Sequence, residues 1–325
     1  MYKRQEKQRP RIIRGLPYES ANQPDDAYPD GQFATRAIET LRRIKDRPFF
    51  LALGFRRPHL PLNCPQKYFD LYPEESIRLP DNLHAPKDAP TVALHNGYEL
   101  RSYAGMPATG EIPERHARNL KRAYRACVSY MDAQLGRVLA EVDRLGLRDN
   151  TIVVFWSDHG YHLGENGVWT KMTNFELAVR VPLIVRVPGR TAPGSRSAAL
   201  VELVDLYPTL AELCGLQLPD YVEGTSFAPL LAEPRRSWKK AVFSQYPRSA
   251  NWDLTSGDPM GRSMRTGRFR YTEWTTPAGE RVGTELYDLE RDLANNVNLA
   301  VRPEYRKVVA ELSAQLEAGW RAARP

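Results

Sequence analysis

The densest concentration of chemistry in the chain is Ser157-Asp158-His159-Gly160, directly after an apolar run. The aspartate offers a hard carboxylate oxygen, the histidine a nitrogen donor, and the glycine allows close backbone approach. This set suits a divalent cation, and it also suits a capped turn with a surface histidine. Lys171 follows in Gly164-Glu165-Asn166-Gly167-Val168-Trp169-Thr170-Lys171. Its ammonium is a compact point charge that matches an anionic oxygen, although a lysine alone is more often a solvated surface residue. His59 stands in Arg56-Arg57-Pro58-His59-Leu60-Pro61, where the prolines on either side stiffen the backbone. A single loop histidine is commonly structural. Three such features after two expected strands carry more weight together than each does alone.

The elements that must position these residues follow from apolar spacing. Ala37, Ile38, Leu41 and Ile44 predict a helix over Thr35–Lys45, after a polar loop over residues 1–32. Phe49–Phe55 is continuously apolar, as in a strand covered on both faces. Arg56–Pro113 is rich in Pro, Asn, Asp and Gly and reads mostly as a long loop. From Leu120 to Val142 apolar residues recur every three or four positions, which predicts a long helix stopped by Gly146. Thr151–Trp156 and Pro182–Val187 read as two more buried strands. A short helix is expected over Leu206–Cys214, with Asp205 as its N-cap and Gly215 as its stop. Strand–helix–strand order with buried strands argues for an α/β layer fold. Beyond Glu233-Pro234-Arg235-Arg236, short strands are expected at Ala241–Tyr246, Ser263–Thr266 and Arg268–Trp274, then an amphipathic helix over Pro303–Trp320. The expected domains are 1–27 as a leading loop, 28–237 as the core, and 238–325 as a small α+β subdomain.

With 325 residues, 42% of them hydrophobic and 26% charged, the composition is that of a globular protein. No apolar run reaches the ~20 residues of a membrane helix, and Met1–Pro10 lacks the apolar stretch of a signal peptide. The net charge of +7 attracts polyanions, but the basic residues are scattered and accompany no nucleic-acid motif, so a nucleic-acid partner is not expected. Cys64, Cys127 and Cys214 have no metal-site or disulfide spacing, and Cys127 and Cys214 fall in helical apolar patterns as expected buried thiols.

Several segments together resemble the type I sulfatases of the alkaline-phosphatase-like superfamily. Phe49–Pro61 is similar to the segment whose Pro-His pair brings a histidine to the sulfate, and Val153–Gly167 to the calcium-binding segment. Glu202–Leu210 and Gly283–Leu289 resemble a helix entry and the C-terminal strand of the family. Asp158-His159, where many arylsulfatases have Asp-Asn, and Asn174-Phe175 after Lys171 point to the iduronate-2-sulfatase branch. The resemblance implies the C-terminal portion of a sulfatase core, a central mostly parallel sheet with helices on both faces, plus the small subdomain. It implies Asp158 and His159 as calcium ligands, and His59 and Lys171 as catalytic contacts to the sulfate and its leaving oxygen. A sulfated carbohydrate would be the substrate, and the compartment periplasmic, secreted or lysosomal.

The family nucleophile is a formylglycine made from Cys or Ser in a Cys/Ser-x-Pro/Ala-x-Arg motif. None of the three cysteines fits: Cys64-Pro65-Gln66, Cys127-Val128-Ser129 and Cys214-Gly215-Leu216 all fail it. The paired aspartates of the family's first strand have no counterpart either, since Asp25-Asp26 follows no expected strand. The expectation is therefore a fragment without its nucleophile segment, inactive alone. Met1-Tyr2-Lys3-Arg4-Gln5 matches a translated sequencing-adapter end (GTG TAT AAG AGA CAG), so residues 1–5 are expected to be foreign to the gene. A non-catalytic glycan-binding module and a phosphodiester or phosphonate hydrolase of the same superfamily are the rival readings.

Overall fold

A proline at the first helical position needs no backbone donor, so Pro29 starts a helix six residues before the apolar spacing becomes regular. The computed structural model describes residues 14–248 and 257–325; the reading of Met1–Gln5 lies outside them. The chain divides into two compact units, one of residues up to Pro80 with Asn96–Leu147, the other of Asp81–His95 with Arg148–Pro325.

In the first unit the elements are β1 (Tyr18–Ala21), α1 (Pro29–Ile44), β2 (Leu62–Pro65), α2 (Gln66–Phe69), α3 (Tyr98–Arg101) and α4 (Glu114–Arg144). The leading segment is thus not all loop: β1 pairs in parallel with β2, Tyr18 opposite Leu62. The long amphipathic helix is α4, and Gly146 takes φ +70° just past its end. Ala34, Ala37 and Leu41 of α1 meet Val138 and Val142 of α4 in an apolar cluster. Phe49–Phe55 does not form the expected strand. Phe49, Leu51, Leu53 and Phe55 rest on that cluster while Phe50 is 83% exposed. Extended backbone sends alternate side chains to opposite faces, and only one face has a cover here. Cys64 and Cys127 are buried, and burial together with the neighbouring Cys64 thiol pushes the Cys127 thiol up.

The second unit begins with β3 (Val153–Trp156), β4 (His162–Leu163), β5 (Trp169–Thr170), α5 (Glu176–Val179) and β6 (Leu183–Arg186). It continues with α6 (Leu206–Leu213), α7 (Ala228–Ala232), β7 (Ala241–Pro247), β8 (Met260–Thr266), β9 (Phe269–Thr275), β10 (Arg281–Asp288) and α8 (Arg306–Ala322). β3 and β6 pair antiparallel. They are covered on one face only, not on both as expected: Val154, Leu183 and Val185 lie against Leu206, Phe227 and Leu230, but Ile184 is 63% exposed. Asp205 does not cap α6 from outside. It is itself helical, Glu202 heads the turn before it, and the Asp205 carboxylate accepts from the backbone of Glu202 and Thr225 and from Lys239 Nζ at 2.7–2.9 Å. Cys214 is exposed: it follows Leu213, the last residue of α6, as the helix's C-cap.

β7 to β10 form an antiparallel meander in the order β10-β9-β8-β7. One face packs under Leu312 and Leu316 of α8. The other presents Trp274 and Tyr287 to Val168 and Phe175, with the Phe175 and Tyr287 rings edge to face at 5.8 Å. That contact, and the buried ion pair of Arg270 with Glu176 (Nε to Oε2, 2.9 Å), fasten α5 and the segment before it to the meander.

Candidate functional site

The turn after β3 is held by its glycine. A Cβ on Gly160 would lie 1.8 Å from the Leu177 carbonyl oxygen, so no other residue fits, and the Gly160 N–H donates to Ala178 at 2.7 Å. Ser157 Oγ donates to the His159 carbonyl at 2.8 Å, and the His159 N–H donates to Asp158 Oδ1 at 3.0 Å. The His159 ring donates Nδ1–H to the Gly160 carbonyl at 2.7 Å, which leaves the lone pair on Nε2. Nε2 stands 3.6 Å from Asp158 Oδ2, and the Asp158 side chain is 83% exposed. The turn thus displays one carboxylate and one imidazole nitrogen side by side, the donor types of a divalent-cation site.

From this turn the chain enters the β4–β5 ribbon, with His162 opposite Thr170. Because the pair is antiparallel, Lys171 leaves the ribbon at the same end at which the Asp158-His159 turn enters. Gly164 (φ +109°), Asn166 (φ +58°) and Gly167 (φ +68°) make the reversal. Two residues that the sequence analysis passed over fix the ribbon. His162 is fully buried between the Glu165 carbonyl and Thr173 Oγ1, and burial lowers its pKa to about 4, so the ring is neutral. Thr170 takes φ +77°, a genuine outlier for a β-branched residue, and its buried Oγ1 has no hydrogen-bond partner among the described residues. Strained backbone of this kind gathers at functional sites. Lys171 follows immediately, its carbonyl accepting from Thr173 N–H at 2.7 Å. No apolar spacing announces a φ outlier, so the sequence carries no signal for Thr170; the buried His162 could have been suspected from its place between Tyr161 and Leu163.

His59 belongs to the first unit. The buried Asp30 carboxylate of α1 accepts from the N–H groups of Arg56 and Arg57, each at 2.9 Å. Arg57 is itself buried; Nη1 donates to the His59 carbonyl at 3.1 Å, Nε to the Asn63 carbonyl at 2.7 Å, and Nη2 to Asn63 Oδ1. His59 donates Nδ1–H to the Leu60 carbonyl at 2.7 Å, and its Nε2 lies 3.3 Å from Glu99 Oε1 of α3. Asp30, Arg57, Asn63 and Glu99 were not read from the sequence, because 26 or more positions separate Asp30 and the residues it holds. Asp25, in a 3-10 turn ahead of α1, is occupied by Lys67, Tyr68 and Gln134.

Calcium coordinates roughly six to eight oxygens. Asp158 and His159 fit such an ion by donor type, but they are two groups, and no cluster of three or more His, Cys, Asp or Glu suited to a metal occurs among the described residues. No helix of the described residues is long and apolar enough to cross a membrane.

The family model "Sulfatase" matches residues 3–216, and "N-sulphoglucosamine sulphohydrolase, C-terminal" matches 164–321. Iduronate 2-sulfatase of Mus musculus is 36% identical over 318 residues, covering 79% of this chain and 58% of the relative. The chain therefore spans little more than half the length of that protein. The fold is shared with phosphonate monoester hydrolase SpPMH from Silicibacter pomeroyi (TM-score 0.79, 25% identity, 96% of this chain and 65% of that one). It is shared as well with BT4656, solved in complex with D-glucosamine-2-N,6-O-disulfate (TM-score 0.73, 24% identity, 90% and 69%).

Proposed function

The chain belongs to the sulfatase family, and from that premise we propose that it carries the metal- and sulfate-binding half of a sulfuric ester hydrolase acting on a sulfated sugar, as an iduronate-2-sulfatase-like enzyme would. The observation that supports this most is the β4–β5 ribbon, which brings the Asp158-His159 turn and Lys171 to one end behind a strained Thr170. In this reading Asp158 Oδ and His159 Nε2 are two ligands of a calcium ion, and the other ligands come from outside this pair. When bound, that ion polarises the sulfate. Lys171 places a positive charge on a sulfate oxygen, and His59, its ring fixed through Leu60 and Glu99, serves the leaving oxygen. A formylglycine nucleophile would come from a segment outside these 325 residues, which contain no Cys/Ser-x-Pro/Ala-x-Arg sequence. The chain alone is then expected to leave an aryl sulfate unhydrolysed, and turnover above an H59A/K171A control would refute the missing nucleophile.

The direct test is equilibrium binding of inorganic sulfate in the presence of calcium. K171A should weaken sulfate about 10-fold, the loss of one charge-assisted contact, and D158N should weaken calcium. Unchanged affinities in both variants would sink the assignment. The likeness to a phosphonate monoester hydrolase supports a second reading, in which the same residues hold a phosphonate. Methylphosphonate binding about 10-fold tighter than sulfate would favour that reading.

A further inference from the structure

Two surface loops of the second unit have no part in the catalytic reading. They wall an open cleft of about 590 Å³ lined by Ser195, Arg196, Glu233, Pro234, Arg235 and Arg236. Ser197 Oγ donates to the Pro234 carbonyl at 2.7 Å and so pins one wall to the other. The flanks of both walls enter one apolar cluster, Ala199 and Val201 from the first and Leu231 and Trp238 from the second, packed on Leu206, Phe227 and Leu230. The cleft is therefore shaped before any ligand arrives.

Its charge is unbalanced. Three arginines and a single carboxylate, Glu233, line it, and among the described residues Glu233 pairs with Arg236 alone, at 3.9 Å. Among the described residues Arg196 and Arg235 make no hydrogen bond or ion pair. A guanidinium presents paired donors in a fixed plane that match the two-oxygen edge of a sulfate or carboxylate. Arg196 and Arg235 come from opposite walls of the cleft, and two such residues suit a ligand carrying several anionic groups along its length.

We propose that this cleft is a second, non-catalytic site that holds an anionic oligosaccharide through Arg196 and Arg235; the choice of a saccharide rests on the sulfated-sugar reading of the catalytic residues. The probe is a heparin-derived hexasaccharide titrated calorimetrically into the full chain, with thermal melts confirming that each variant is folded. R196Q/R235Q should lower the affinity at least 10-fold. R306Q/K307Q removes the same two charges from exposed positions of α8 and should change it less than 2-fold. The loss caused by R196Q/R235Q should be the same when it is measured in the H59A/K171A background, so failure of the catalytic assignment does not disturb this result. The proposal is overturned if both charge pairs weaken binding alike, if only H59A/K171A does, if the hexasaccharide does not bind, or if a DNA duplex of equal charge binds as tightly.

Discussion

In both histidine segments the ring donates Nδ1–H to the carbonyl of the next residue at 2.7 Å, Leu60 in one and Gly160 in the other, yet different forces hold the two. The His59 segment is gripped by side chains: Asp30 takes two backbone N–H groups and the buried Arg57 takes three acceptors. The His159 turn is gripped by backbone, through a glycine pressed against Leu177 and a single N–H bond to Ala178. A clamp made of charges tolerates shape changes in the clamped chain but not the loss of a charge. A clamp made of close approach behaves the other way round. In both, Nε2 is left beside a carboxylate, 3.3 Å from Glu99 Oε1 in one segment and 3.6 Å from Asp158 Oδ2 in the other, so that pairing does not depend on which clamp is used.

The comparison breaks most visibly at the glycine. Gly160→Ala would force a methyl into the Leu177 carbonyl and should cost about 4 kcal/mol, whereas Gly54→Ala, with nothing within 4 Å of its Cβ, should stay within about 0.5 kcal/mol. Paired thermal melts check this, and equal shifts would show that the turn is not held by close approach. Next in size is a pH effect confined to the ribbon. The folded state keeps His162 neutral down to about pH 4, while the unfolded chain takes up the proton near 6.5. Stability is therefore complete above 6.5 and drains by about 3 kcal/mol as pH falls to 4. Denaturant unfolding across that range should show the loss in the natural chain and much less in H162Q.

Asp30→Ala leaves the buried Arg57 N–H without its acceptor and should cost about 2 kcal/mol. Calcium affinity at Asp158 should not change with it; a parallel loss of calcium binding would mean that the two clamps are not independent. The smallest effect is expected at Thr170. Thr170→Gly releases the φ +77° strain and should raise stability by about 1 kcal/mol. Sulfate affinity should fall at the same time, because Lys171 loses its fixed backbone; a gain in both would mean the strain serves no site.

The sequence alone determined the elements whose apolar spacing is local. The stripe from Leu120 to Val142 lies in α4, the runs before Ser157 and over Leu183–Arg186 are strands, and the C-terminal strands and final helix are where spacing and turn residues put them. It also offered Asp158, His159, Lys171 and His59 as candidates, because their types and flanking glycine or prolines are visible without any fold, and the family is legible in those segments. Tertiary structure decided what depends on distant partners. Phe49–Phe55 reads as a strand, but a strand needs a ladder partner and a second cover, and it has only α1 and α4 beneath it. Asp205 reads as a helix cap, yet Lys239 and Thr225 draw its carboxylate elsewhere. Cys214 continues the apolar pattern of α6, but it is the residue just past the helix end and is exposed. The grip of Asp30 on the His59 segment and the strain at Thr170 are set by long-range packing and backbone torsion, neither of which has a period that a single sequence displays.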